Sequence, residues 1–150
     1  MGVTLCSDRV ESAFRSEDRL RTFYHGHSYT GNALACAAAI ANLQIFDDET
    51  VFDRIATIAR IHAVRLRHLS EMRQVGETRQ IGTIGIVELR ADDPGYLSGL
   101  RPKLYGFFLE RGVLLRPLGN VVYVLPPYVI EPEELHHVYD VIVEAIETLL

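Results

Sequence analysis

The chain has 150 residues, 48% of them hydrophobic and 23% charged, with a formal net charge of −5. That length and balance suit a folded domain with a real core and exclude a disordered or low-complexity chain. With 15 basic against 20 acidic side chains, no basic face is advertised for nucleic acid, whose phosphates demand one.

Residues 2–5 read as a short strand, and 7–14 as a helix capped by Ser7 or Asp8. A charged loop follows over 15–21, so the chain starts as if in the middle of a larger unit. No basic and apolar leader opens it and no apolar run reaches membrane-spanning length. Cys6 and Cys36 have no metal spacing, and two free thiols in a cytoplasmic protein are expected. Residues 23–32, Phe-Tyr-His-Gly-His-Ser-Tyr-Thr-Gly-Asn, form a loop feeding an Ala-rich helix over 31–46. Small residues on every side of that helix predict close packing and burial. The loop admits two readings. It is an ordinary helix cap, or it holds an anion such as phosphate at the helix N-terminus, where free N–H groups, the Ser28 and Thr30 hydroxyls and two glycines converge. His25 and His27 are two apart with no third ligand nearby, which argues against a metal site.

Asp47-Asp48 marks a break and a new cap. Val51, Ile55, Ile58, His62, Leu66, Leu69 and Met72 then recur at helical spacing up to about residue 72. His62 lies on that apolar stripe as a packed histidine. Residues 81–89, β-branched with Gly82 and Gly85 inserted, read as one buried strand. A polar loop covers 91–99. A helix covers 102–110, with Pro102 near its start, Leu104, Phe107 and Phe108 inward, and Gly112 closing it. Strands are expected at 113–115 and 121–125 around a Gly119-Asn120 turn, and a last helix from Pro132 with an apolar stripe through Leu149. The order from residue 48 predicts an α+β fold, a small antiparallel sheet covered by helices.

Arg116, followed by Pro117 in an apolar strand, is the most pointed single residue. It pairs with an internal carboxylate such as Glu88 or Glu110, ends a strand with its head in water, or clamps a substrate carboxylate through a bidentate fork. Tyr123 is a strand aromatic nearby.

Three stretches carry a family resemblance: His25-Gly-His-Ser-Tyr-Thr-Gly-Asn-Ala-Leu-Ala-Cys-Ala-Ala-Ala39, Arg79-Gln-Ile-Gly-Thr-Ile-Gly-Ile-Val-Glu88, and 112–130 with its Arg116-Pro117 pair and Pro126-Pro127-Tyr128. Together they resemble the class III, fold type I aminotransferases that use pyridoxal 5'-phosphate, and within them the biotin-pathway branch. The resemblance covers essentially the whole chain but only the last part of the family's usual length. It implies a remnant of the large cofactor-binding domain over 1–47 and a C-terminal small domain over 48–150. It implies a homodimer in which the 23–32 loop reaches the partner's site. There Gly26 helps hold substrate by its backbone, and His27 and Ser28 contact the cofactor phosphate. Arg116 would bind the carboxylate of 8-amino-7-oxononanoate and Tyr123 would stand beside it, with S-adenosylmethionine as amino donor. The family's Schiff-base lysine is not in this chain. Fourteen of the 15 basic residues are arginine, and the single lysine, Lys103, lies in a different context. The chain by itself is therefore expected to be inactive, as a fragment, a truncated product or one piece of a split enzyme. Another class III ω-aminotransferase and a non-catalytic α+β interaction domain are the alternatives.

Overall fold

The computed structural model describes residues 2–48 and 50–150. The chain divides into two compact units, Met1–Glu49 and Thr50–Leu150.

The first unit holds two α-helices, α1 (Asp8–Glu11) and α2 (Ala33–Asp48), and a 3-10 turn at Arg19–Arg21. Residues 2–5 are not a strand. Among the described residues nothing pairs with their backbone, and a strand exists only by its ladder. The helix expected over 7–14 stops after one turn. Ser7 is its N-cap but makes no side-chain cap bond, and so short a helix has little to offset the cost of nucleation. The 3-10 turn is better capped, since Asp18 accepts from the Leu20 N–H at 3.0 Å. Asn32 caps α2, its side-chain oxygen accepting from the Ala35 N–H at 3.0 Å. The expected burial of α2 is not met, because Leu34, Ile40, Leu43 and Ile45 are all exposed. A helix apolar all round needs neighbours on several sides, and among the described residues of this unit none is fully buried, with only Ala35, Cys36, Ala39 and Phe46 of α2 half-covered. Asp47 and Asp48 continue α2 instead of capping the next helix.

The second unit runs α3 (Val51–Ser70), β1 (Val75–Ile81), β2 (Ile84–Leu89), α4 (Leu100–Glu110), β3 (Val121–Val124) and α5 (Pro132–Leu149). The sheet is antiparallel in the order β1-β2-β3, so the expected α+β class holds. The single strand expected over 81–89 is a hairpin. Gly82, at φ +52°, turns the chain with Thr83 so that Ile81 pairs with Ile84. The polar run Glu77-Thr78-Arg79-Gln80 is an edge strand, half solvated, which hides it from a search for apolar alternation.

Along β2 burial alternates with a period of two: Gly85, Val87 and Leu89 are buried, while Ile84, Ile86 and Glu88 are half-buried. The buried face, with Val122 and Val124 of β3, meets α3, and α3 and α4 pack against α5. The core joins Ile58, Leu66 and Leu69 of α3, Leu104 and Phe108 of α4, and Leu135, Tyr139, Ile142 and Ile146 of α5. Helix α4 begins earlier than expected, with Gly99 at its N-cap and Pro102 third. That position is still in the first turn, where a missing N–H costs no helical bond. The helix ends in a Schellman motif at Gly112, φ +73°, with Gly112 N–H to Leu109 O at 3.0 Å and Val113 N–H to Phe108 O at 2.9 Å. Helix α5 opens on Pro132 behind a reciprocal capping box between Glu131 and Glu134.

Residues 113–115 are extended but are not a strand. Only Leu118 bridges to Val121, across Gly119 (φ +64°) and Asn120. The positive φ at the first central residue alone is that of a type II′ hairpin turn. Beyond it Pro117 has no N–H to donate, and the two arms separate.

Candidate functional site

The first cluster is the 23–32 loop. It is stitched by its own turns: Thr30 N–H donates to His27 O at 2.9 Å, His27 N–H to the Thr30 hydroxyl at 3.2 Å, and Asn32 N–H to Tyr29 O at 3.1 Å. Phe14, Phe23 and His25 stack in series, with ring centroids 5.5 Å apart at each step, and His27 lies 4.7 Å from the Tyr29 ring. Gly2, Val3 and Thr4 run beside this loop, and together with His25, Gly26 and His27 they border an open cleft of about 760 Å³. A side chain at Gly26 would meet nothing of this chain. Among the described residues nothing pairs with the Ser28 hydroxyl or N–H, whereas the His27 N–H is committed to Thr30. Neutral, exposed donors at Ser28, two residues after Gly26, fit a phosphate. Among the described residues no three His, Cys, Asp or Glu side chains are arranged to hold a metal ion.

The second cluster surrounds Arg116 in the other unit. Arg116 is exposed, on the extended stretch between the Gly112 cap and the Gly119 turn. Of the readings open for it, a head in water is the one met in this chain, although the stretch it follows is not a strand. Neither suggested carboxylate takes it: Glu88 lies 3.4 Å from Arg79, and no ion pair joins Arg116 to Glu110 or to any other described residue. Its guanidinium is open to an external anion. Tyr123, half-buried on β3, pairs with Ile86 and shares the half-buried face of the sheet with Ile84 and Glu88. The two clusters belong to different units. Gly26, His27 and Ser28 are consecutive in one loop, while Arg116 and Tyr123 lie on the two arms that flank the Gly119-Asn120 turn.

Two features escaped sequence reasoning. Asn120, read as half a turn, is almost fully buried and bonds in three directions. The second is the use made of His62. Its Nε2 lies 2.9 Å from Thr83 O and its Nδ1 2.5 Å from the Tyr139 hydroxyl. The carbonyl accepts only, so Nε2 carries the proton and Nδ1 accepts from Tyr139. Gly85 leaves room for this pair, since a side chain there would overlap the Tyr139 oxygen and come within 2.9 Å of His62 Nδ1. Burial pushes the Tyr139 hydroxyl up and holds His62 below its ordinary value. Lys103 lies exposed on α4, in the second unit.

The model of the aminotransferase class-III family matches residues 1–146. The chain is 36% identical over 150 residues to the adenosylmethionine-8-amino-7-oxononanoate aminotransferase of Synechococcus elongatus, covering 99% of this chain and 35% of that protein. To the enzyme of the same name from Aquifex aeolicus it is 37% identical over 155 residues, covering 99% and 34%. The crystal structure of the Methanocaldococcus jannaschii enzyme of that name superposes with a TM-score of 0.83 at 35% identity, over 94% of this chain and 34% of that one. An aminotransferase from Vibrio fluvialis in its PMP-bound form gives a TM-score of 0.78 at 25% identity, over 94% and 32%. The chain spans about a third of the length of the curated relatives it matches.

Proposed function

The chain belongs to the class-III aminotransferase family, and from that premise we propose that it is part of an enzyme moving an amino group from S-adenosylmethionine to 8-amino-7-oxononanoate. The product would be 7,8-diaminononanoate, on the route to biotin. The observation that carries this is identity of 36% across 99% of the chain with a relative named for that reaction. Residues 1–47 are read as part of a large cofactor-binding domain and 48–150 as the small domain of a cytoplasmic homodimer. The open sides of the 23–32 loop and of α2 support a partner subunit there.

Class III aminotransferases use pyridoxal phosphate, which when bound is the electron sink and the carrier of the amino group. The Ser28 hydroxyl and N–H would hold its phosphate, and the Gly26 backbone would help hold substrate. His27 would contribute through its place in the turn, its N–H being held by Thr30. The lysine that binds the cofactor and moves protons is assigned to the two thirds of the relatives' length that this chain does not match. Arg116 orients the keto-acid: a free guanidinium offers two parallel N–H donors to a carboxylate remote from the reacting carbon. Tyr123 would line the same pocket from β3.

Steady-state assays of the intact enzyme containing this chain test the reaction. Turnover with S-adenosylmethionine and 8-amino-7-oxononanoate supports it. Turnover only with ω-amino acids or simple amines moves the chain to an ω-transaminase, and no turnover with any donor favours an interaction domain. In that enzyme Arg116→Ala is expected to cost about 1.5–3 kcal/mol in the half-reaction that consumes the keto-acid, the worth of hydrogen bonds to a charged group, and to leave the donor half-reaction almost intact. Arg116→Lys restores part of the loss, a point charge replacing a planar fork. Single-turnover rates for each half, beside a thermal melt, check this; equal losses in both halves refute the clamp.

A further inference from the structure

We propose that Asn120 is a positioning residue for Arg116, latching the hairpin that carries the guanidinium to the loop over 91–99. This rests on the reading of Arg116 as the keto-acid clamp. Arg116 itself is exposed and among the described residues has no side-chain partner, so only its backbone can fix where its head points. On its N-terminal side the chain is anchored by buried Val113 and Leu115. On its C-terminal side the anchors nearest to it are Pro117, Leu118 and Asn120, ahead of the β3 ladder.

Pro117 is fully buried, and its carbonyl accepts from the Arg101 Nε at 3.2 Å. Leu118 and Val121 exchange both backbone bonds, at 2.8 and 3.1 Å. Asn120 then ties this turn outward. Its Oδ1 accepts from the Gly95 N–H at 2.8 Å, its Nδ2 donates to Leu89 O at 2.7 Å, and its own carbonyl accepts from the Leu89 N–H at 2.9 Å. Gly119 permits the contact, because a side chain there would overlap the Gly95 carbonyl.

The loop on the far side is itself held. Asp93 accepts from the Gly99 N–H at 3.0 Å and from the Ser98 hydroxyl at 3.3 Å, which ties the loop to the start of α4, where Arg101 stands. The bonds close a ring: Asn120 to Gly95, loop to α4, Arg101 to Pro117, and Pro117 back to Asn120. Arg116 is the residue immediately outside that ring. A side chain with one acceptor and two donors suits the place, as it meets an N–H on one side and a carbonyl on the other.

The test uses the intact enzyme with Asn120→Ala, Asn120→Asp, Arg116→Ala and the double variant Asn120→Ala/Arg116→Ala. Asn120→Ala is expected to raise KM for the keto-acid about tenfold or more, as small misplacements of a binding group do. KM for the amino donor and the rate of the donor half-reaction stay unchanged. Asn120→Asp keeps the acceptor for Gly95 but sets a second oxygen against the Leu89 carbonyl and buries a charge, so the same keto-acid-selective rise is expected, at least as large as for Asn120→Ala. In the double variant the Asn120 substitution adds nothing to Arg116→Ala, since the group it positions is gone. If Asn120→Ala does not fold, Arg101→Ala is the second probe: it removes an exposed side chain and the bond to Pro117, and the same keto-acid-selective rise is expected. Parallel losses in both half-reactions, or additive losses in the double variant, overturn the positioning role. If Arg116→Ala is selective and Asn120→Ala and Arg101→Ala are not, the positioning role alone falls. If Arg116→Ala is itself unselective, the clamp falls and the positioning role with it.

Discussion

Helices α2 and α3 make an instructive pair. The first is the more apolar by composition, yet Leu34 is 82% exposed and Leu43 62%, and no described residue of its unit is buried. The second carries Arg54, Arg60, Arg65 and Arg67, yet Ile58, Leu66 and Leu69 are at most 4% exposed. Hydrophobic free energy follows the area removed from water, and that area depends on a matching surface as much as on the residues offered. Helix α3 has its match in the sheet and α5. Helix α2 keeps its apolar surface open in this chain, which is the surface the proposed partner subunit would cover.

The same truncation at both sites breaks the comparison most directly. Leu69→Ala is expected to cost about 2–5 kcal/mol, transfer plus cavity, and Leu43→Ala to stay within about 0.5 kcal/mol. Chemical denaturation of the chain, read for each variant by a probe placed in the unit that carries it, gives both numbers; equal costs would show that α2 also rests on a packed surface. Gly85→Ala follows. Its new methyl group drives into the Tyr139 hydroxyl and His62, and about 1–3 kcal/mol of overpacking is expected, measured as a shift in the denaturation midpoint. A methyl group at Gly26, in open space, should leave stability unchanged.

The smallest non-zero effect is a pH dependence. His62 is held below its ordinary 6.5 chiefly by burial, with the Thr83 carbonyl pulling weakly the other way. The unfolded chain therefore takes up the proton more readily than the native one. His62 contributes stability above about pH 6.5 that is lost as the pH falls through that value toward its native one. His62→Gln keeps a donor and an acceptor without titrating. Melting temperatures compared from pH 7.5 to 5 should fall more steeply for the native chain than for the variant; parallel curves would mean that other groups set the acid limb.

The repeating stripes of α3 and α5, the glycine close of α4 and the proline opening of α5 were legible because each is local: a period, a cap, a ring without an N–H. The α+β class followed from their order. The β1–β2 hairpin was harder to see, since a half-solvated edge strand has no apolar run. Residues 2–5 and 113–115 have strand composition and no ladder. At the candidate site the residue types were readable, while the exposure of Arg116, the commitment of the His27 N–H and the ring through Asn120 were not. Composition, periodicity and capping are properties of neighbours along the chain, and the sequence determined them alone. Burial and pairing are agreements between segments tens of residues apart. Whether His62 meets Tyr139, whether Arg116 finds a carboxylate and whether an Ala-rich helix is covered were decided only by the tertiary structure.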